Sequence, residues 1–250
     1  MPPYADNWAF FLDIDGTLLD IEGHPDDVHI GRVELELVSG LHRATGGALA
    51  LVSGRPLAGI DVLFHPLRLP SAGQHGAERR DANGRRHRHQ FPVDTLHRAA
   101  VPVRKFVARN EGLVFEDKGA SVALHYRLAP RLEAAAREVV EQAVQEAGGV
   151  LEMQVGKMVF EMKPAGVDKG VAIDQFMRDA PFAGRIPVFL GDDVTDEFGF
   201  RVVNRLGGHS VKIGEGPTAA RWRLASPAGA KAWLGAWMDA RGGGRRTKVG

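Results

Sequence analysis

The chain has 250 residues, 44% hydrophobic and 25% charged, with a formal net charge of +1 and no cysteine. That balance supports one large globular domain or two small ones, offers no global field for nucleic acid or a membrane surface, and excludes disulfides, thiolate metal sites and a cysteine nucleophile. No apolar run approaches the ~18 residues of a membrane span, and the N-terminus lacks the basic and apolar regions of a secretion signal, so a cytoplasmic protein is expected.

Residues 8–14 read as a buried strand, with Asp13 near its end and Asp15 just beyond it, followed at once by Gly16 and Thr17. Two carboxylates at the end of a buried strand repel each other unless a cation lies between them. Mg2+, a hard ion held by carboxylates and substrate phosphate, is the natural candidate; an Asp-x-Asp-Gly turn is the alternative. Residues 28–44 carry apolar positions at helical spacing. Residues 48–53 form a second apolar run, stopped by Gly54, and residues 56–64 a helix with Pro56 in its first turn. Residues 67–90 hold a hairpin marked by Asn83-Gly84. The basic run Arg85, Arg86, His87, Arg88, His89 lacks interleaved aromatics, so it reads as a solvated strand rather than a nucleic-acid site.

From about residue 93 the rhythm changes. Residues 94–110 read as a helix, 113–117 and 121–127 as strands, 131–147 as a helix, and 150–155 and 158–162 as strands. This order predicts an antiparallel sheet covered by helices. After Pro164 the strand–helix alternation resumes, with helices 169–178, 195–204 and 228–240 and strands 187–190 and 210–213. The expected fold is therefore α/β: a doubly wound, Rossmann-like parallel-sheet core over residues 1–92 and 164–240, with an α/β domain, 93–163, inserted into it. The Gly-rich basic tail 241–250 is expected to be disordered.

In open parallel sheets, ligands bind beyond the carboxyl ends of the strands. That rule gathers Asp13 and Asp15, then Ser53-Gly54-Arg55, then Gly191-Asp192-Asp193-Val194-Thr195-Asp196-Glu197 at one edge, where Lys169 can join them. Carboxylates, a hydroxyl and a lysine together describe a site for Mg2+ and phosphate.

These stretches resemble the four motifs of the haloacid dehalogenase-like phosphatases. The resemblance implies Asp13 as the nucleophile that forms an aspartyl-phosphate and Asp15 as the general acid, with its carbonyl on Mg2+. It implies Ser53 as a phosphoryl hydrogen-bonding group, Lys169 as the neutralising cation, and Asp192 and Asp193 as metal ligands or their support. Asp13, Ile14, Asp15, Ser53, Gly54 and Arg55 then line the substrate phosphate. Arg55 also reads as an ion-pair partner of Asp196 or Glu197.

The stretches GDDVTDEFGF, AGQHGAE, HYR and FEMKPAGVDKG are similar to trehalose-6-phosphate phosphatases. That likeness implies sugar contacts from Glu116, Lys118, Arg127, Lys157 and Glu161 in the inserted domain. Glu116 and Lys118 would share a strand face, as would Lys157, Val159 and Glu161; cross-strand ion pairs on an exposed face are the other reading. His75 reads as a substrate-edge or hinge residue, or as a plain turn histidine. His24, His29, His42 and His65 suggest nothing, no histidine pair has zinc spacing, and Trp233 and Trp237, one helical turn apart, read as core. The expected activity is hydrolysis of trehalose 6-phosphate by a monomer, with a functional link to a trehalose-6-phosphate synthase implied by the family. A related phosphatase for another sugar phosphate, such as sucrose 6-phosphate, or a catalytically silent binding domain are the alternatives.

Overall fold

A computed structural model describes residues 1–20 and 29–243. His24, the start of the first predicted helix at Val28, and tail residues 244–250 lie outside the described residues. The chain divides into two compact units. One comprises Met1–His87, Asp168–Asp192 and the residues from Asp196 onward; the other comprises Arg88–Val167 with Asp193–Thr195.

The first unit is built on an eight-stranded sheet. Its strands are β1 (Trp8–Leu12), β2 (Leu49–Val52), β3 (Ser71–Gly73), β4 (Glu78–Arg80), β5 (Arg86–Arg88), β10 (Ile186–Gly191), β11 (His209–Ile213) and β12 (Trp222–Leu224). The order is β12-β11-β10-β1-β2-β3-β4-β5, parallel from β12 to β3 and antiparallel between β3 and β4. Strand β1 is buried on both faces, which is why its sequence is continuously apolar rather than alternating. Trp8, Phe10 and Leu12 point into a core with α1 (Arg32–Ala44), α2 (Leu57–Leu63) and α7 (Pro227–Gly243). Ala9 and Phe11 point the other way, into a core with α5 (Lys169–Phe176) and α6 (Asp196–Arg205). Trp237 stacks on Trp8 at 6.0 Å, the core role its spacing predicts. Helix α7 runs to Gly243, so the first residues of the predicted disordered tail continue that helix. Strand β12 escaped sequence reading because three residues give too short a run for any periodicity.

The predicted turn at Asn83-Gly84 is present between β4 and β5, with Asp81 accepting from the Asn83 and Arg85 backbone N–H groups. The second unit has strands β6 (Val114–Asp117), β7 (Val122–His125), β8 (Leu151–Gly156) and β9 (Val159–Pro164), ordered β6-β7-β9-β8 and antiparallel throughout. Helices α3 (Val93–Ala108) and α4 (Glu133–Glu146) share a core with one face of this sheet. Phe115, Leu124, Phe160 and Val155 lie in register across that face. Glu116, Ala123, Glu161 and Gln154 lie in register across the other.

Phe11 is fully buried, with its ring 5.4 Å from Phe182 and 6.0 Å from Phe176. Phe11→Ala should cost about 3–5 kcal/mol of stability through lost burial and a residual cavity, read as a lower midpoint in urea unfolding.

Candidate active site

Strand β1 delivers Asp13 into a buried position, where its backbone N–H is held by the Leu190 carbonyl of the neighbouring β10 at 3.0 Å. Here the chain leaves β1 for β2 on one side and lies beside β10 on the other, the switch point at which open α/β sheets bind ligands. Helix α5 begins at Lys169, and its N-cap Asp168 accepts from the Val171 N–H at 2.8 Å. That cap fixes the first turn and aims the lysine inward. The Lys169 ammonium donates to Asp13 Oδ1 at 2.8 Å and to Asp196 Oδ1 at 2.7 Å. Asp196, fully buried, uses its other oxygen to accept from the Asp192 N–H at 2.9 Å.

Carboxylate oxygens of Asp13, Asp192 and Asp196 lie within 4.8 Å of one another. The Thr17 hydroxyl stands 3.4 Å from both Asp13 Oδ2 and Asp192 Oδ1. Gly16 is at φ +83°, and a Cβ there would fall 2.2 Å from Asp192 Oδ2, so only glycine lets this carboxylate approach. Burial pushes the Asp13 carboxyl well above the usual range; Lys169 pulls against this, and Asp196 and Asp192 reinforce it. Burial also opposes the charge on Lys169, but Asp13 and Asp196 outweigh it and raise its ammonium above the ordinary lysine range. The Lys169 ammonium thus pairs with two of the three carboxylates. An all-oxygen donor set of this kind is compatible with a hard divalent cation.

Ser53 is buried at the end of β2 and accepts from the Arg55 N–H at 3.2 Å. Arg55 forks onto Asp15 with two hydrogen bonds of 2.7 Å. Sequence reasoning named Asp196 or Glu197 as its partner. Asp196 is engaged by Lys169, and Glu197 accepts from the Thr218 hydroxyl and the Ala219 N–H, both at 2.7 Å. Ile14 buries its side chain in the core, so only its backbone faces a ligand. Asp193 is half-buried and is not in the carboxylate group found among the described residues.

Asp196 was read in the sequence as part of the acidic run at this edge and as a partner of Arg55, without its hold on Lys169 and the Asp192 N–H; it sits four residues after Asp192 in the first turn of α6. One contributor went unread. Lys212, buried within β11, donates to the Asp192 carbonyl; its only signal is a lysine between Val211 and Ile213 in a short strand.

In the second unit Glu161 is buried, not exposed, and accepts from Lys118 at 3.0 Å and from the Ser121 hydroxyl at 2.6 Å. Its burial departs from the exposed face of the alternative reading, while its ion pair with Lys118 is one that the alternative reading expects. Glu116 bonds the His125 ring nitrogen at 2.8 Å; that bond holds its carboxyl below the usual range despite partial burial. Lys157 lies in the turn between β8 and β9, exposed, rather than on the strand face with Val159 and Glu161. Met158 beside it is at φ +63°, a turn conformation that breaks the strand alternation. Arg127 is exposed just past the end of β7.

The family model for trehalose-phosphatase matches residues 11–228. The chain is 47% identical over 233 residues to the trehalose-6-phosphate phosphatase of Escherichia coli (strain K12), spanning 93% of this chain and 87% of that one. It is 47% identical over 230 residues to a probable trehalose-phosphate phosphatase of Sinorhizobium fredii, spanning 92% and 86%. Among solved structures, a trehalose-6-phosphate phosphatase related protein superposes with TM-score 0.77 at 28% identity, over 96% of this chain and 99% of that one. The C-terminal domain of the C. albicans trehalose-6-phosphate phosphatase superposes with TM-score 0.84 at 20% identity, over 94% and 92%, a likeness of fold.

A divalent cation that binds this carboxylate set only in the folded state should raise the unfolding temperature. Saturation at 100 times its Kd corresponds to about 2.7 kcal/mol. Asp192→Asn should abolish the shift in a thermal melt, and a shift of unchanged size would remove Asp192 from the metal site.

Proposed function

The chain belongs to the trehalose-phosphatase family, and from that premise we propose that it hydrolyses trehalose 6-phosphate to trehalose and phosphate through an aspartyl-phosphate at Asp13, with Mg2+ as its metal. The observation that carries this reading is the buried Lys169 ammonium held between Asp13 and Asp196. It fixes one oxygen of Asp13 and leaves the other for attack on phosphorus.

In the first step an Asp13 oxygen bonds to phosphorus while the bond from phosphorus to the sugar oxygen breaks. Asp15, protonated and released from the Arg55 fork that holds both its oxygens here, gives that oxygen a proton, releasing the alcohol. In the second step Asp15 takes a proton from water as the water oxygen attacks phosphorus. The bond from phosphorus to Asp13 breaks, phosphate leaves, and the carboxylate is restored. Ser53 and Lys169 hold phosphoryl oxygens, which is most of what phosphoryl transfer asks of a protein. Asp13 and Asp192 would hold Mg2+, with the Asp15 carbonyl and Asp193 in support, and the ion would supply positive charge against the transferring group.

The core groups recognise only a phosphate and a metal, so sugar choice falls to the second unit, which we read as the cap. We assign that role to Glu116, Lys118, Arg127, Lys157 and Glu161. For Glu161, Lys118 and Glu116 the support is a polar cluster with Glu161 buried, on a sheet face where an apolar one would be cheaper to fold; Arg127 and Lys157, both exposed, are assigned on the family likeness alone.

Asp13→Asn should abolish phosphate release from trehalose 6-phosphate with the fold unchanged by circular dichroism, and EDTA should silence the wild type until Mg2+ is restored. Turnover by Asp13→Asn above a few per cent would reassign the nucleophile. Glu161→Gln should lower kcat/KM on trehalose 6-phosphate about 5- to 150-fold, the range of one hydrogen bond in such a site, and hardly alter turnover of p-nitrophenyl phosphate. Equal loss on both esters would make Glu161 a structural residue.

A further inference from the structure

The segment Gln74-His75-Gly76 has no part in the chemistry above, yet its backbone is unusual. All three residues lie in the left-handed region, at φ +47°, +57° and +110°, and two of them are not glycine. Such conformations persist where surrounding contacts impose them, and they cluster at functional sites.

The contacts that impose this one are specific. The Gln74 N–H donates to the Arg55 carbonyl and the His75 N–H to the Ser53 carbonyl, both at 3.0 Å. The buried His75 ring lies on Gly54, where a Cβ would stand 2.8 Å from ring atoms Cε1 and Nε2. On its other side the turn meets the start of α5. A Cβ on Gly76 would fall 2.8 Å from the Asp168 carbonyl oxygen, and Asp168 caps the helix whose first residue is Lys169. Glu78 braces the assembly by accepting from the Leu57 N–H at 2.6 Å and from the Gln74 side chain at 3.3 Å.

We propose that this turn is a spacer that sets the separation of Ser53 and Lys169, and that His75 is a positioning residue acting through Gly54 rather than a group that touches substrate. The inference rests on the reading of Ser53 and Lys169 as phosphoryl-binding groups. Its physical basis is that misplacing such groups by about 1 Å can cost on the order of 100-fold in rate.

The experiment is a double-mutant cycle on Gly54→Ala and His75→Ala, read as kcat/KM on p-nitrophenyl phosphate with Mg2+ and as inorganic phosphate affinity by calorimetry. Each single change should lower both by about 10- to 100-fold. In the Gly54→Ala background, His75→Ala should instead raise both, because removing the ring makes room for the new methyl. That reversal of sign supports a steric spacer. A double variant no better than Gly54→Ala overturns it, as does a His75→Ala single with wild-type values. Gly76→Ala should lose about as much as the singles, whereas Gly84→Ala, at φ +81° with no atom within 4 Å of its Cβ position, should match the wild type. Loss in both glycine variants would trace the effect to backbone strain alone and overturn the spacer. Failure of the wild type to release phosphate from any ester would refute the phosphatase reading, while phosphate affinity across the cycle still decides the role of His75.

Discussion

The buried ammonium of Lys169 is the interaction on which the rest of the site depends. Removing two carboxylates and a lysine from water is costly, and only close pairing offsets it. Asp13, Lys169 and Asp196 meet that condition with contacts of 2.8 and 2.7 Å. The pairing in turn dictates geometry at a distance. It requires β1 and β10 to end side by side, α5 to start where its first side chain can reach inward, and α6 to begin with an acid. Asp196 also holds the Asp192 backbone, so the same buried charge that anchors Asp13 sets the loop bearing another carboxylate. Carboxylate oxygens of Asp13, Asp192 and Asp196 still lie within 4.8 Å of one another, an arrangement compatible with a bound cation.

Much of this was legible in the sequence, for reasons that can be named. A strand buried on both faces must be continuously apolar, so residues 8–12 announced a parallel core. Helices marked by 3.6-residue spacing alternated with such runs, and the rule that ligands gather at carboxyl ends of strands then brought Asp13, Ser53, Lys169 and Asp192 together before any coordinates. What remained hidden was pairing. Arg55 was seen as an ion-pair residue but assigned the wrong acid, because several carboxylates at one edge offer equal claims until the backbone fixes directions. Lys157 was placed on a strand face by counting in twos, and the turn at Met158 breaks that count. The role of Asp196 needed the knowledge that its side chain turns back toward Lys169 and the Asp192 N–H.

The second unit follows a different economy. One face of its sheet is apolar and packed with α3 and α4, while the other carries Glu161, hydrogen-bonded by Lys118 and Ser121, and Glu116, 4.0 Å from the Lys118 ammonium. Glu161 has both oxygens engaged, which fixes its rotamer and directs the Lys118 ammonium. A network of this kind gains little stability over apolar packing. It does hold polar groups in set positions, and a ligand rich in hydroxyls is recognised by such groups. This contrast between an apolar face that folds the unit and a polar face that contributes little to folding is the physical ground for giving it the choice of sugar.

The central claim is that phosphate passes through Asp13. The most direct measurement is a rapid acid quench of the enzyme with 32P-labelled trehalose 6-phosphate, followed by mapping of the labelled peptide. The account predicts label on the peptide containing Asp13, formed and lost within a turnover and absent from Asp13→Asn. Release of labelled phosphate in a full burst with no label on protein, or label on a peptide lacking Asp13, would contradict it.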